Sequence, residues 1–146
     1  MPLSAAQMHS ARILTDMLRG KFGIPAFNCV THAQVSVNSW NWRIGYHTDW
    51  ASGFPFTALG LPDNYAQAVP SMTLYGFDYD DAFPSVAGRP WAGLLMAHEL
   101  VNERARAHGI SVDRYRERLR ERYRTIMNSA QLRSNEESKD ESFQQD

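Results

Sequence analysis

The sequence predicts an α/β fold, and three features of the chain support this class. A helix is expected over about residues 5–22, a short strand over residues 27–31, and two more helices after residue 90. The chain has 146 residues, of which 43% are hydrophobic and 21% charged. This size and composition are typical of a globular domain that can bury a substantial core.

The first predicted helix has clear start and stop signals. Ser4 and Gln7 form a capping-box pattern, in which each side chain can bond the backbone amide of the other residue. Gly23 is placed for a left-handed C-terminal cap, and Pro25 prevents the helix from continuing. Apolar residues recur at spacings of mostly three and four, at Ala11, Leu14, Met17, Leu18 and Phe22. This spacing predicts that one face of the helix is buried.

After this helix, the segment Phe27–Thr31 is short, partly β-branched and preceded by Pro25. It therefore predicts a strand that leads into His32. Metal ligands often lie where a strand meets its loop, because the strand fixes the direction of the ligand. Without a metal, His32 would be a histidine that is hydrogen-bonded at the end of a strand.

The stretch from Thr31 to Phe56 concentrates the residues that could carry chemistry. It contains His32, His47 and Asp49. Imidazoles and carboxylates are the protein ligands of a catalytic zinc ion, whose fourth position holds water. The three residues therefore suggest a metal site. The alternative is that they are ordinary polar residues of a loop.

The region from Gln34 to Pro90 is rich in Gly, Pro, Asn, Asp and aromatic residues and has little periodic pattern. A loop region of this length in a compact domain is usually functional. We expect its aromatic side chains to form a wall of a binding cleft, because aromatic faces stack on sugar rings and apolar groups. The candidates for substrate binding are Trp42, Tyr46, Trp50 and Phe54. The same residues could instead form the core of a loop-rich fold.

Pro90 suits the first turn of a second helix, and the helical spacing predicts one face made of Trp91, Leu94, Leu95, His98 and Val101. Within this helix, His98 and Glu99 come close to the zinc-protease motif of two histidines four residues apart. Asn102 stands where the second imidazole is needed. We therefore do not expect a protease, and we interpret His98 as a residue of the helix face.

The last predicted helix has Ser111 as its N-cap and six arginines along its length. These arginines are spread around the helix and interleaved with Glu117 and Glu121, which favours a solvated amphipathic helix over nucleic-acid binding. The formal net charge of −1 likewise gives no attraction to nucleic acid. From about residue 133 the chain has almost no apolar content, which predicts a disordered tail.

Other properties bear on where the protein works. No segment approaches the 18 or more apolar residues of a membrane span, so we expect none. The N-terminus lacks the apolar centre of a signal peptide. The single cysteine, Cys29, cannot form an internal disulfide, and it leaves the compartment undecided.

Three segments resemble the zinc-dependent N-acetylmuramoyl-L-alanine amidases, which share their fold with peptidoglycan recognition proteins. Thr31-His32 is similar to a strand-end pair that supplies a zinc-binding histidine in that family. His47-Thr48-Asp49, followed by Phe54-Pro55-Phe56, is similar to the run that supplies its zinc-binding aspartate. The helix before Pro25 looks like the last core helix of the family. The resemblance covers about residues 4–56.

The resemblance implies a bacterial cell-wall hydrolase with Zn²⁺ as cofactor and peptidoglycan or a muropeptide as partner. His32 and Asp49 would bind the zinc, and a zinc-activated water would hydrolyse the amide between N-acetylmuramic acid and L-alanine. His47 stands where the family often has a lysine, so it would be the catalytic group that stabilises the oxyanion, or else a metal ligand itself. The alternative is a non-catalytic module that binds cell-wall glycan or peptide.

The family's first zinc-binding histidine and its catalytic Glu or Tyr would precede this chain's first helix. The resemblance therefore implies a truncated amidase-like domain, its C-terminal part only, with a mixed sheet and flanking helices over residues 1–60. A loop-rich and helical extension over 61–132 would pack on it, and 133–146 would be the disordered tail. A cut sheet leaves an unpaired edge and an exposed apolar face, so we expect a homo-oligomer or completion by another chain.

Overall fold

The computed structural model of the chain describes residues 3–79 and 91–143. Within these ranges the fold is mostly helical, and the sheet has two short antiparallel strands. The helices are α1 (Ala5–Phe22), α2 (His32–Val35), α3 (Pro70–Tyr75), α4 (Ala92–Ala107) and α5 (Val112–Phe143). The strands are β1 (Val37–Asn38) and β2 (Arg43–Ile44), and 3-10 turns span Ala26–Asn28, Thr57–Leu59 and Asn64–Ala66. The predicted α/β class with a mixed sheet is therefore wrong.

Helix α1 confirms the predicted start and end of the first helix. The Gln7 amide donates to Ser4 Oγ at 3.2 Å, and the Ser4 amide donates to Gln7 Oε1 at 2.8 Å. Gly23 has a φ of 63°, and its amide closes the helix on the Arg19 carbonyl. These contacts are local in sequence, which is why the pattern of residues predicted them.

The apolar face of α1, predicted to be buried, is instead exposed. No residue of α1 is buried, and the exposed fraction is 57% for Leu14 and 65% for Met17. The helix contacts the rest of the chain through Met8 and Ala11, which pack against the small apolar cluster around the turn Thr57–Leu59. Helical spacing predicts a helix with an apolar stripe, but it does not say what covers that stripe.

The strand predicted over Phe27–Thr31 does not form. A 3-10 turn occupies Ala26–Asn28, and the Thr31 amide then donates to Oε1 of Gln34 at 2.8 Å, which starts α2. A hydrogen bond between neighbouring residues thus outweighs the weak strand preference of a short β-branched run. The described residues contain only a two-stranded antiparallel sheet, without this strand.

The two strands that do form make a small hairpin, in which Val37 pairs with Ile44. Backbone hydrogen bonds join the hairpin to the segment that follows α3. The Ile44 amide donates to the Asp78 carbonyl at 2.8 Å, and the Asp78 amide donates to the Trp42 carbonyl at 2.9 Å. The Asp78 carboxylate in turn pairs with Arg116 of α5 at 2.7 Å. This ion pair joins the hairpin region to the last helix.

The main core lies where α3, α4 and α5 pack together beside the hairpin. Its largest fully buried residues are Met72, Phe77, Leu94 and Val101. The face predicted for the second helix is largely confirmed, because Trp91, Leu94 and Val101 are buried, although Leu95 is 54% exposed. The predicted first residue of that helix, Pro90, lies outside the described residues.

Helix α5 starts as predicted, since Ser111 Oγ accepts a hydrogen bond from the Arg114 amide at 3.3 Å. It continues to Phe143, into the segment where the sequence predicts a disordered tail from residue 133. The division of the chain at residues 60 and 132 stays a prediction. None of the described helices is long and apolar enough to cross a membrane.

Candidate functional site

The structure brings together His32, His47 and Asp49, which we call the histidine site. His32 is the first residue of α2, a short helix whose inner side is buried. Gln34 is 5% exposed, and its Nε2 donates to the Asn64 carbonyl at 3.0 Å. The buried anchor leaves His32 on the outer side of the helix, where its side chain is 53% exposed.

His32 forms a close pair with Asp49. Nδ1 of the imidazole lies 3.0 Å from both carboxylate oxygens of Asp49, and the Asp49 side chain is 56% exposed. An ionised carboxylate can only accept hydrogen bonds, so in the neutral imidazole the proton lies on Nδ1. Nε2 of His32 is then an acceptor that can take a proton or a hydrogen bond from a ligand.

His47 completes the site through ring stacking. Its ring centroid lies 4.7 Å from that of His32, with an angle of 19° between the ring planes. Tyr46 meets the His47 ring edge-on, with the centroids 4.8 Å apart. The backbone amide of His47 donates to Ser36 Oγ at 2.9 Å, and Ser36 is buried directly after α2. The loop that carries His47 is thus fastened to the helix that carries His32.

The four aromatic residues predicted to bind substrate occupy different positions. Tyr46 and Trp50 are exposed, by 66% and 39%. Phe54 is half-buried and packs between Trp50 and Phe56, at centroid distances of 5.3 and 4.7 Å. Trp42 packs in the core rather than at the histidine site.

Trp42 shows that aromatic content alone does not distinguish a residue of the binding site from a residue of the core. Its ring lies 5.1 Å from Phe77 and 5.7 Å from Tyr123. The guanidinium groups of Arg120 and Arg124 lie over the same ring at 5.2 and 4.9 Å. Trp42 therefore joins the hairpin to α5 through aromatic and cation–π contacts.

Sequence reasoning missed two residues that hold the site. Ser36 is one, and Tyr65 is the other. The Tyr65 hydroxyl donates to the Trp50 carbonyl at 2.6 Å and accepts from the Phe54 amide at 3.3 Å. Burial raises the pKa of Tyr65 above its ordinary value, so this hydroxyl stays protonated and remains a hydrogen-bond donor. No local pattern marks either residue, because both act on residues more than ten positions away.

His32 and His47 are not arranged to bind one zinc ion together. Zinc needs ligand atoms that point at one position about 2.0–2.2 Å from each. Imidazole lone pairs lie in the ring plane, so the nearly parallel rings of His32 and His47 cannot both point at one ion. Within the described residues, no group of three His, Cys, Asp or Glu side chains is arranged to hold a metal. That His32 and Asp49 bind zinc stays a prediction, which metal analysis of the purified protein would test.

No family model, no curated protein and no solved structure matches this chain. The resemblance to the amidases therefore stays a prediction.

Proposed function

We propose that the histidine site and its exposed aromatic neighbours bind a cell-wall glycan or peptide, such as a muropeptide. The observation that carries the proposal is the stack of His32 on His47, held against Asp49 at the surface. Two imidazoles and a carboxylate provide both acceptors and donors within a small area. A muropeptide carries hydroxyl, amide and carboxylate groups that can pair with each of these.

The aromatic residues supply the apolar part of recognition. Tyr46 is exposed and touches His47, while Trp50 follows Asp49 in the chain and is partly exposed. Aromatic rings bury large areas with few rotatable bonds, so they bind sugar faces or alkyl groups at a low cost in side-chain entropy. Trp50 has a φ of 56°, which is unusual for a residue other than glycine. Trp42 in the core shares this conformation, so it is not specific to the site.

Calorimetric titration of the full chain with a soluble muropeptide tests this proposal. The His32→Ala and Asp49→Asn variants should each weaken binding by about tenfold or more, because each removes a charged or hydrogen-bonded partner. His9→Ala is the matched control, since His9 is an exposed histidine on α1 outside the site. Equal affinity for wild type, His32→Ala and Asp49→Asn would rule out the histidine site as the binding surface.

A second candidate is amide hydrolysis in the muropeptide, and one observation favours it. Asp49 holds Nδ1 of His32, which leaves Nε2 as a general base that could take a proton from water and return it to the leaving amine. His47 would then be the donor to the oxyanion, as the resemblance implies. No step of this proposal requires a metal.

Chromatographic detection of the released peptide distinguishes hydrolysis from binding. If the pair acts as a base, Asp49→Asn should lower the rate by about 100-fold or more, since an amide does not stabilise the protonated imidazole. Assays with added Zn²⁺ and with a chelator test the zinc prediction in parallel. Binding without any release of peptide would support the binding proposal and exclude hydrolysis.

A further inference from the structure

A cavity of about 470 Å³ lies on the other side of α2 from the exposed His32. Its wall is formed mainly by apolar side chains from the end of α2, β1, the start of α3 and α5. They include Val35, Val37, Val69, Pro70, Phe77 and Tyr123. This volume falls in the range of small-molecule pockets, which are also mostly apolar.

The buried amide side chains in the wall are already paired within the protein. Nε2 of Gln34 donates to the Asn64 carbonyl, and Nδ2 of Asn64 donates to the Ala26 carbonyl at 3.3 Å. Oδ1 of Asn64 accepts from Gln67 at 3.1 Å. These side chains therefore have few donors or acceptors left to bond a ligand in the cavity.

Ser71 also lines the cavity, but its hydroxyl is buried and a ligand in the cavity does not reach it. None of the described residues that line the cavity is charged. A charged ligand would lose its hydration here without gaining a counter-ion.

Exposed apolar residues surround the cavity. Phe27, Val30 and Val35 all line it, and they are 57%, 40% and 56% exposed. The apolar surface thus continues from the interior to solvent, which gives a ligand both an entrance and additional contact area.

We propose that this cavity binds a small uncharged ligand with an alkyl body, which lies in the apolar cavity. The alkyl body matches the apolar wall. The absence of charge in the ligand matches the absence of charged residues among those that line the cavity. The site is separate from the histidine site, so the two proposals can fail independently.

Calorimetric titration with a series of n-alkan-1-ols from hexanol to dodecanol tests the proposal. Affinity should rise roughly fourfold per added methylene until the cavity is full, and then level off. The carboxylate of equal chain length should bind more weakly at neutral pH.

A cavity-filling variant, Ala68→Phe, should abolish binding, because Ala68 lines the cavity. The matched control is Ala107→Phe on the exposed side of α4, which should bind like wild type. Val35→Phe fills the cavity from its mouth, and it keeps the test usable if Ala68→Phe misfolds. No binding of any alkanol, or binding that both filling variants retain, would overturn the proposal. Self-association through this surface without alkanol uptake would also overturn it.

Discussion

Gly93 offers the sharpest test of how α4 packs. It lies in the first turn of α4, against the backbone of the segment that contains the 3-10 turn Asn64–Ala66. A Cβ at this position would overlap the carbonyl carbon and oxygen of Gln67 and would lie 2.9 Å from the Tyr65 carbonyl oxygen. These are backbone atoms, so the clash cannot be relieved by a side-chain rotation. The helix or the turn would have to move.

The expected magnitude follows from two opposing effects. Replacing glycine by alanine in a helix normally stabilises a protein by about 1 kcal/mol. Overpacking against a rigid neighbour costs about 1–3 kcal/mol, and three backbone contacts place Gly93→Ala at the upper end. The clash therefore outweighs the propensity gain, and the free energy of unfolding should fall by about 2 kcal/mol.

Urea unfolding followed by circular dichroism measures this difference. Gly20→Ala is the matched control, since Gly20 is helical and has no heavy atom within 4 Å of the added Cβ. This control should gain about 0.5–1 kcal/mol. A Gly93→Ala variant as stable as wild type, or more stable, would refute the described contact between α4 and the Asn64–Ala66 turn.

Three further predictions concern Tyr65 and the exposed face of α1. Tyr65→Phe should lose about 1–2 kcal/mol in urea unfolding, because the Trp50 carbonyl and the Phe54 amide lose their shared partner. Burial raises the pKa of Tyr65 above 10.0, so the folded state holds this proton more tightly than the unfolded state. Wild-type unfolding free energy should therefore fall above about pH 10, and less so in Tyr65→Phe. Met17→Glu should reduce self-association in sedimentation, whereas His9→Glu should not; equal behaviour of both variants would show that the apolar stripe is not the contact surface.

The limits of α1 could be predicted because they depend on neighbouring residues. Ser4 and Gln7 bond each other across one turn, and Gly23 adopts the left-handed conformation that the pattern requires. The strand predicted before His32 failed for a related reason. A five-residue run has little intrinsic preference, and the bond between Thr31 and Gln34 decided the outcome.

The members of the histidine site could also be named from the sequence. His32, His47 and Asp49 carry the chemically distinctive groups of one short stretch, and the structure brings them together. Their relative geometry could not be predicted. Stacking of the imidazoles depends on Ser36, which ties the His47 loop to α2, and on the buried anchor of α2.

Which apolar surfaces are covered depends on the tertiary structure. The positions of the main helices and of the polar stretch can be predicted from the sequence, because caps, periodicity and residue chemistry act over a few positions. The sequence does not distinguish Trp42, which packs in the core, from Trp50, which lies at the surface. Nor did it show that the stripe of α1 is exposed or that a cavity opens beside α2. Burial depends on contacts between residues far apart in the chain, and no local pattern specifies them.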